Sequence, residues 1–140
     1  MIAALDLQNA LFDLLSNDAA LAVLLGGPKI YDTPPKQAAF PYVSFGPLSA
    51  VDWSTSDDFG SAYIVTLNCW SGTAGRKQVL RIADRVTAAL NGASAQALEF
   101  GQSANAKIIL VQPVGMSVEN DAATKAIRAT LRTRILVEPI

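Results

Sequence analysis

Residues 30–70 decide the fold, and they read IYDTPPKQAAFPYVSFGPLSAVDWSTSDDFGSAYIVTLNCW. Pro34-Pro35 predicts an extended backbone near the start of this stretch. A short strand is expected around Pro41-Tyr42-Val43, followed by a polar loop from Pro47 to Gly60. Residues 62–70 then alternate between two faces that are both partly apolar. This pattern predicts a central strand that is covered on at least one side.

Helical patterns lie on both sides of this stretch. Residues 2–15 carry apolar side chains at spacings of three and four. Ser16-Asn17-Asp18 indicates a helix stop followed by a new N-cap, and a short second helix over about residues 18–25 is expected to end at Gly26-Gly27-Pro28, with glycine as its left-handed C-cap. The clearest helix covers about residues 74–90 and is expected to end at Asn91-Gly92.

Two long strands complete the chain, after a loop of small residues in which Leu98 and Phe100 indicate a short strand. In residues 107–119 Pro113 indicates a strand that lies at a sheet edge or is locally unpaired, because proline cannot donate to a ladder. The apolar side chains expected to share one face of that strand are Ile108, Leu110, Val114, Met116 and Val118. Residues 125–137 alternate strongly, with apolar residues on one face and arginines on the other. At about 3.3 Å per residue such strands span ~40 Å, so we expect this hairpin to extend beyond the domain.

The predicted elements are grouped rather than strictly alternating: helix, helix, three strands, helix, two strands. This order predicts an α+β fold, in which a mixed, mostly antiparallel sheet has helices packed on one face and ends in a long C-terminal β-hairpin. A length of 140 residues suits a single domain over residues 1–140.

The charges are few and unevenly distributed. Only 16% of the residues are charged, against roughly 25% in a typical chain, which suits either a surface buried against partners or an alanine-rich domain. A net charge of −1 argues against a general nucleic-acid binder. Residues 1–75 hold two basic and seven acidic residues (−5), whereas residues 76–140 hold nine basic and five acidic (+4). This polarity suits copies that meet head to tail, with the basic surface of one against the acidic surface of the next. The alternative is that the acidic and basic residues intermix on the surface once the chain folds.

Several kinds of site are excluded by residue type. The chain has no histidine and one cysteine, which removes histidine-based catalytic triads, thiolate clusters and most zinc sites. Asp52, Asp57 and Asp58 are candidate cation ligands, but their loop lacks the glycine and glutamate of a calcium loop, so a solvated acidic loop is favoured. We therefore expect no enzyme activity, no metal and no cofactor.

The candidate interaction residues are therefore charged or aromatic. Arg128, Arg132 and Arg134 share one strand face and suit carboxylates of a neighbouring subunit, DNA phosphates or plain solvent. Trp53 suits an interface anchor if it is exposed, or a pin for its own loop if it is buried. The remaining candidates are four basic residues of the third helix and three acidic residues of the polar loop: Arg76, Lys77, Arg81, Arg85, Asp52, Asp57 and Asp58.

The order and spacing of several short motifs resemble a phage family, the tail completion or tail terminator proteins of long-tailed phages and gene transfer agents. The motifs are Ile30-Tyr31-Asp32, Pro35, Phe40-Pro41-Tyr42-Val43, Asp52-Trp53, Cys69-Trp70-Ser71 and Ile82-Ala83-Asp84. The resemblance covers about residues 11–137. It implies a virion protein that forms a ring, typically a hexamer, at the head-proximal end of the tail tube.

By the same resemblance, the ring stops tail polymerisation, contacts the tail tube protein and a neck or stopper protein, and lets DNA pass transiently through its lumen. No membrane partner is expected, because no uncharged apolar run approaches the roughly 20 residues of a span. The N-terminus lacks a signal-peptide pattern, which favours assembly in the bacterial cytoplasm before incorporation into the particle. A neck stopper or head-completion protein is an alternative, and a small ligand-binding domain or hydrolase is an alternative of a different class.

Overall fold

Three helices and five strands make up the computed structural model, which describes residues 4–52, 60–72, 75–95 and 106–139. The elements in chain order are α1 (Ala4–Ser16), α2 (Ala19–Leu25), β1 (Ile30–Tyr31), β2 (Tyr42–Asp52), β3 (Ser61–Ser71), α3 (Lys77–Ala95), β4 (Ala106–Asn120) and β5 (Ile127–Pro139). Their order confirms the predicted sequence of helices and strands.

The five strands form one sheet in the order β1-β2-β3-β5-β4. β1 runs parallel to β2, and every other neighbouring pair is antiparallel. This confirms the predicted α+β class, the mostly antiparallel sheet and the C-terminal hairpin. The expectation that the hairpin extends beyond the domain is wrong, because residues 127–137 of β5 are also paired with the whole of β3.

The helices cover one face of the sheet, and the core lies between them. The alternate residues predicted for one face of β3 and of β5 are all buried: Tyr63, Val65, Leu67, Cys69, Ile127, Ala129, Leu131, Thr133, Ile135 and Val137. The stripe predicted on α3 meets them with Val79, Ile82, Val86 and Leu90. Each large apolar side chain buried in this way contributes about 1.5–3 kcal/mol to folding, which makes this layer the main source of stability.

β2 is longer than the sequence predicted, because Pro47 does not end it. The strand continues to Asp52, and a register irregularity lies between Phe45 and Leu48. Such a bulge accommodates a proline, which has no N–H to donate. Gly46 is required for close approach in the bulge, since a Cβ there would lie 2.9 Å from Asn68 Nδ2.

β4 confirms the edge position of Pro113 but not the predicted shared face. Register shifts lie between Ile108 and Leu110 and between Pro113 and Gly115. Each shift changes which side the following residues face. The first shift turns Leu110 away from the side of Ile108, and the second returns Met116, which pairs with the buried Leu131, to that side. Ile108 and Val111 are buried, while Leu110, Val114 and Met116 are exposed.

α3 continues past its predicted end at Asn91-Gly92 and reaches Ala95. A glycine weakens a helix by about 0.5–1 kcal/mol but does not stop it unless the backbone turns left-handed. Gly26 does turn left-handed, with φ of 77°, and it caps α2 as predicted. The strand expected near Leu98 and Phe100 lies outside the described residues.

Asp18 joins α2 to α3 through two kinds of contact. Asp18 is the N-cap of α2, within the stretch where the sequence predicted one, and its Oδ1 accepts a 2.8 Å hydrogen bond from the Leu21 N–H. Arg85 also donates to both of its oxygens, from Nε at 2.9 Å and from Nη2 at 2.6 Å. Chiefly through the bonds from Arg85, the pKa of Asp18 lies below its ordinary value. The carboxylate therefore fixes the helical layer above the sheet.

We expect Asp18→Ala to destabilise the fold more than Asp18→Asn, because asparagine retains a capping oxygen but not the charge. Loss of the cap alone costs about 1 kcal/mol in urea unfolding at neutral pH. Since the folded state lowers the pKa of Asp18, the charge stabilises the fold above about pH 4 and ceases to do so as pH falls further. The difference between wild type and Asp18→Asn should shrink on acidification, and a constant difference would contradict the ion pair's contribution.

Candidate functional site

The face of the sheet that none of the described helices covers, here called the open face, displays polar, aromatic and basic side chains. Strands β3 and β5 contribute most of them, in directly paired rows: Ile64 with Arg134, Thr66 with Arg132, Asn68 with Thr130, and Trp70 with Arg128. The same alternation that buries the core residues therefore places these side chains together. The open face is the part of the molecule most suited to contact a partner through side chains.

An aromatic and cationic row crosses one end of the open face. Phe40 stacks on Tyr42 with ring centroids 5.4 Å apart, and Tyr42 stacks on Trp70 at 6.1 Å. Arg128 lies over the Trp70 ring, its Cζ 5.4 Å from the centroid. Arg128 Nη2 also donates to Glu119 Oε2 at 3.3 Å. The row therefore runs from β2 across β3 and β5 to β4.

Trp70 is held in this row by contacts beyond stacking. Its Nε1–H donates to Ser44 Oγ at 3.1 Å. Gly72 leaves room for the neighbouring ring, because a Cβ there would lie 3.0 Å from Phe40 Cδ2. An indole fixed on both sides presents a defined platform to the arginine above it.

A shallow groove of about 400 Å³ lies next to the row, in the middle of the open face. Its lining comes from β2, β3 and β5 and consists of Pro47, Leu48, Ser49, Ile64, Thr66, Asn68, Arg128, Thr130 and Arg132. Thr130 Oγ1 donates to Asn68 Oδ1 at 3.0 Å. Arg128 Nε is buried and has no hydrogen-bond acceptor in the described part of the chain. Together with the exposed Arg132, this groove offers donors to an anionic group.

Two weakly acidic groups hold their protons at neutral pH. Burial, assisted by the negative charge of Asp121, raises the pKa of Tyr42. Burial raises the pKa of the Cys69 thiol to about 12, so this cysteine is an inert core residue. In the described residues, no cluster of three histidine, cysteine, aspartate or glutamate side chains could hold a metal ion.

The predicted interaction residues fall into separate places. Arg128, Arg132 and Arg134 lie together on the open face, as predicted. Arg76, Lys77 and Arg81 are exposed on or just before α3, on the other side of the sheet. Arg85 lies on the same helix, bound to Asp18. Trp53, Asp57 and Asp58 lie outside the described residues, and so does the side chain of Asp52. The interface role of all these residues remains a prediction.

A family model described as "Tail completion protein gp17" matches residues 9–138. The chain belongs to this family of tail completion proteins. A solved structure described as "Virion of native gene transfer agent (GTA) particle" includes a chain that is 27% identical to it. That match covers 94% of both chains with a TM-score of 0.81. A comparison with curated proteins found no match.

The tail completion protein is thus a structural component of a phage-type or gene transfer agent tail, as the sequence motifs predicted. Its family is one of structural virion proteins rather than a known enzyme family. No helix in the described ranges combines the length and hydropathy needed to cross a membrane.

Sequence reasoning missed the aromatic row of this tail completion protein. The alternation of residues 62–70 puts Trp70 on the same strand face as Asn68, but it does not connect Trp70 with Arg128. The signal was available in part, because both residues lie on the less apolar face of neighbouring long strands. The missing information was the register, which pairs Trp70 directly with Arg128.

We expect Trp70 and Arg128 to be energetically coupled. In a double-mutant cycle with Trp70→Leu and Arg128→Met, the coupling should be about 0.5–1 kcal/mol, which is usual for a partly exposed cation–π pair. Urea unfolding of the four proteins measures it. A matched cycle with Arg132→Met should give no coupling, because Arg132 lies about 13 Å farther along β5. Equal coupling in both cycles would contradict a specific contact.

Proposed function

We propose that this tail completion protein forms a hexameric ring on the head-proximal end of the tail tube, where it stops tail polymerisation and joins the tail to the head. The observation that carries the proposal is the open face, which brings Arg128, Arg132 and Arg134 together on one strand of a chain whose net charge is −1. In the described residues, neither Arg132 nor Arg134 has a carboxylate partner. The membership of a tail completion family and the match to a virion chain support this reading.

A closed ring needs two different surfaces of one chain that fit each other. The arginines of the open face come from the half with a net charge of +4, and the acidic loop that follows β2 comes from the half with −5. We propose that the arginines of one copy bind Asp52, Asp57 and Asp58 of the next. Arginine suits this contact because its guanidinium binds carboxylates through two parallel hydrogen bonds.

The two ends of such a ring contact different proteins. One end binds the last ring of the tail tube, and the other binds a neck or stopper protein, while DNA passes through the lumen during delivery. The basic residues Arg76, Lys77 and Arg81 are separated from the open face by the sheet, so they are available to a partner other than the neighbouring copy. Their free charge suits an acidic patch on the tube or neck protein.

The cavities favour an interaction protein over a small-molecule binder. The apolar cavity between α1 and β2 has a volume of about 10 Å³, close to the minimum for one water molecule. The groove on the open face is larger but shallow, whereas ligand pockets usually enclose most of their ligand. Its lining therefore suits side chains of another protein.

Deletion of the gene in the producing strain tests the proposed function. We expect electron microscopy of the particles to show tails of uncontrolled length and heads without tails, because nothing ends the tube or joins it to the head. Expression of the intact gene from a plasmid should restore normal particles. Tails of normal length on normal heads would contradict the proposal.

Charge reversal tests the proposed contact between copies. Arg132→Glu with Arg134→Glu should strongly reduce the number of tailed particles, because two carboxylates would face the acidic loop of the next copy. Lys36→Glu makes a similar change at an exposed residue outside the five strands and should leave the yield unchanged. If the double variant, folded by circular dichroism, assembled normal tails, the pairing would be wrong.

A further inference from the structure

The sheet has two free edges, and both carry exposed apolar side chains. β1 covers the outer edge of β2 only at Val43 and Ser44. In the described part of the chain, no strand pairs with the rest of that edge or with the outer edge of β4. Val51 on β2 is 63% exposed, and Leu110 on β4 is 40% exposed. A long edge with unpaired backbone groups and apolar side chains is a template for another strand.

Val51 and Leu110 lie at the two ends of one row across the sheet. Val51 pairs with Ala62, Ala62 pairs with Leu136, and Leu136 pairs with Leu110. Directly paired residues point to the same side of a sheet, so this apolar row crosses the open face from edge to edge. A second copy placed against β4 could therefore continue the row.

Strand directions allow that continuation. β2 and β5 run one way and β3 and β4 the other, because each neighbouring pair is antiparallel. A second copy can be rotated so that its β2 edge lies beside the β4 edge of the first copy and both open faces lie on the same side. In this arrangement the strands of the second copy run in the same directions as the corresponding strands of the first. The two edges then meet as an antiparallel pair, which repeats the alternation of the sheet.

The two edges also suit each other in position and in charge. Pro47 and Pro113 lie next to the irregularities of their strands and limit pairing there. The proline-free parts, residues 48–52 of β2 and 106–112 of β4, lie at the same end of the sheet. β2 belongs to the acidic half of the chain and β4 to the basic half, which favours contact between unlike edges over contact between two copies of one edge.

We infer that copies of the tail completion protein join by pairing the β4 edge of one copy with residues 48–52 of β2 in the next, which places Leu110 against Val51 of its neighbour. The sheet then continues from subunit to subunit around the ring. Backbone hydrogen bonds supply the attraction, and the apolar row sets the register. This inference rests on the proposed ring and names the contact that closes it.

Disulfide trapping in assembled particles tests the inference. Particles carrying V51C with L110C are mildly oxidised and run on a denaturing gel without reductant. We expect most of the monomer band to disappear and a ladder of cross-linked species larger than the dimer to replace it. Cross-strand Cβ atoms are close enough for a disulfide when they face each other directly. The native Cys69 is buried and should not react. Each single variant should stay monomeric.

The control is V23C with L110C, because Val23 on α2 is 81% exposed yet lies away from both edges. A ladder of equal strength from this pair would overturn the inference, since it would report random collision. A dimer from L110C alone would also overturn it, because two β4 edges would then meet about a two-fold axis.

A second pair of cysteine substitutions keeps the inference testable if V51C with L110C prevents assembly. Ser49 and Gln112 lie at the two ends of another row and are both exposed, so S49C with Q112C leaves the apolar row intact and should give the same ladder. If tailed particles contain these chains as monomers only, edge pairing is wrong while termination stands. If particles have normal tails without the protein, the proposed function itself fails.

Discussion

The uninterrupted antiparallel ladder between β3 and β5 is the constraint on which the rest of the structure depends. It pairs every residue from Ser61 to Ser71 with one from Val137 to Ile127, without a bulge. Side chains on such a ladder must alternate strictly between its two faces. One face therefore receives the apolar residues that the helices cover, and the other receives the arginines and Trp70. Core and interaction surface arise from one geometric rule.

Elements that follow this rule could be predicted from the sequence, and those that break it could not. β3, β5 and α3 carry long periodic patterns, and their buried faces agree with the prediction, although α3 ends later than predicted. β4 has the same kind of pattern, but two irregularities change its facing at Leu110 and Gly115. Since a bulge inserts one residue without any fixed sequence signature, Leu110 could not be placed from alternation alone, whereas Met116 lies on the side of Ile108 again after the second irregularity.

The candidate site was predictable in part for a related reason. Three arginines on one strand face follow from alternation within β5. The stacking of Arg128 on Trp70 depends on register between strands 58 residues apart in sequence. The contact between Arg85 and Asp18 also joins residues far apart in sequence. The sequence indicates a helix cap near Asp18, but it does not indicate that this carboxylate binds the guanidinium of Arg85. Local patterns specify what a residue faces, whereas pairing across the chain specifies what it contacts.

The position of Cys69 has a consequence for the particle outside the cell. Tails that leave a bacterium pass from a reducing compartment into one where thiols oxidise readily. The only thiol of this chain lies on the helix-covered face of the central strand and is fully buried. Oxidation of cysteine requires an accessible thiolate, which burial at this depth suppresses. The folded protein therefore exposes no thiol that air could oxidise or that could cross-link one particle to another.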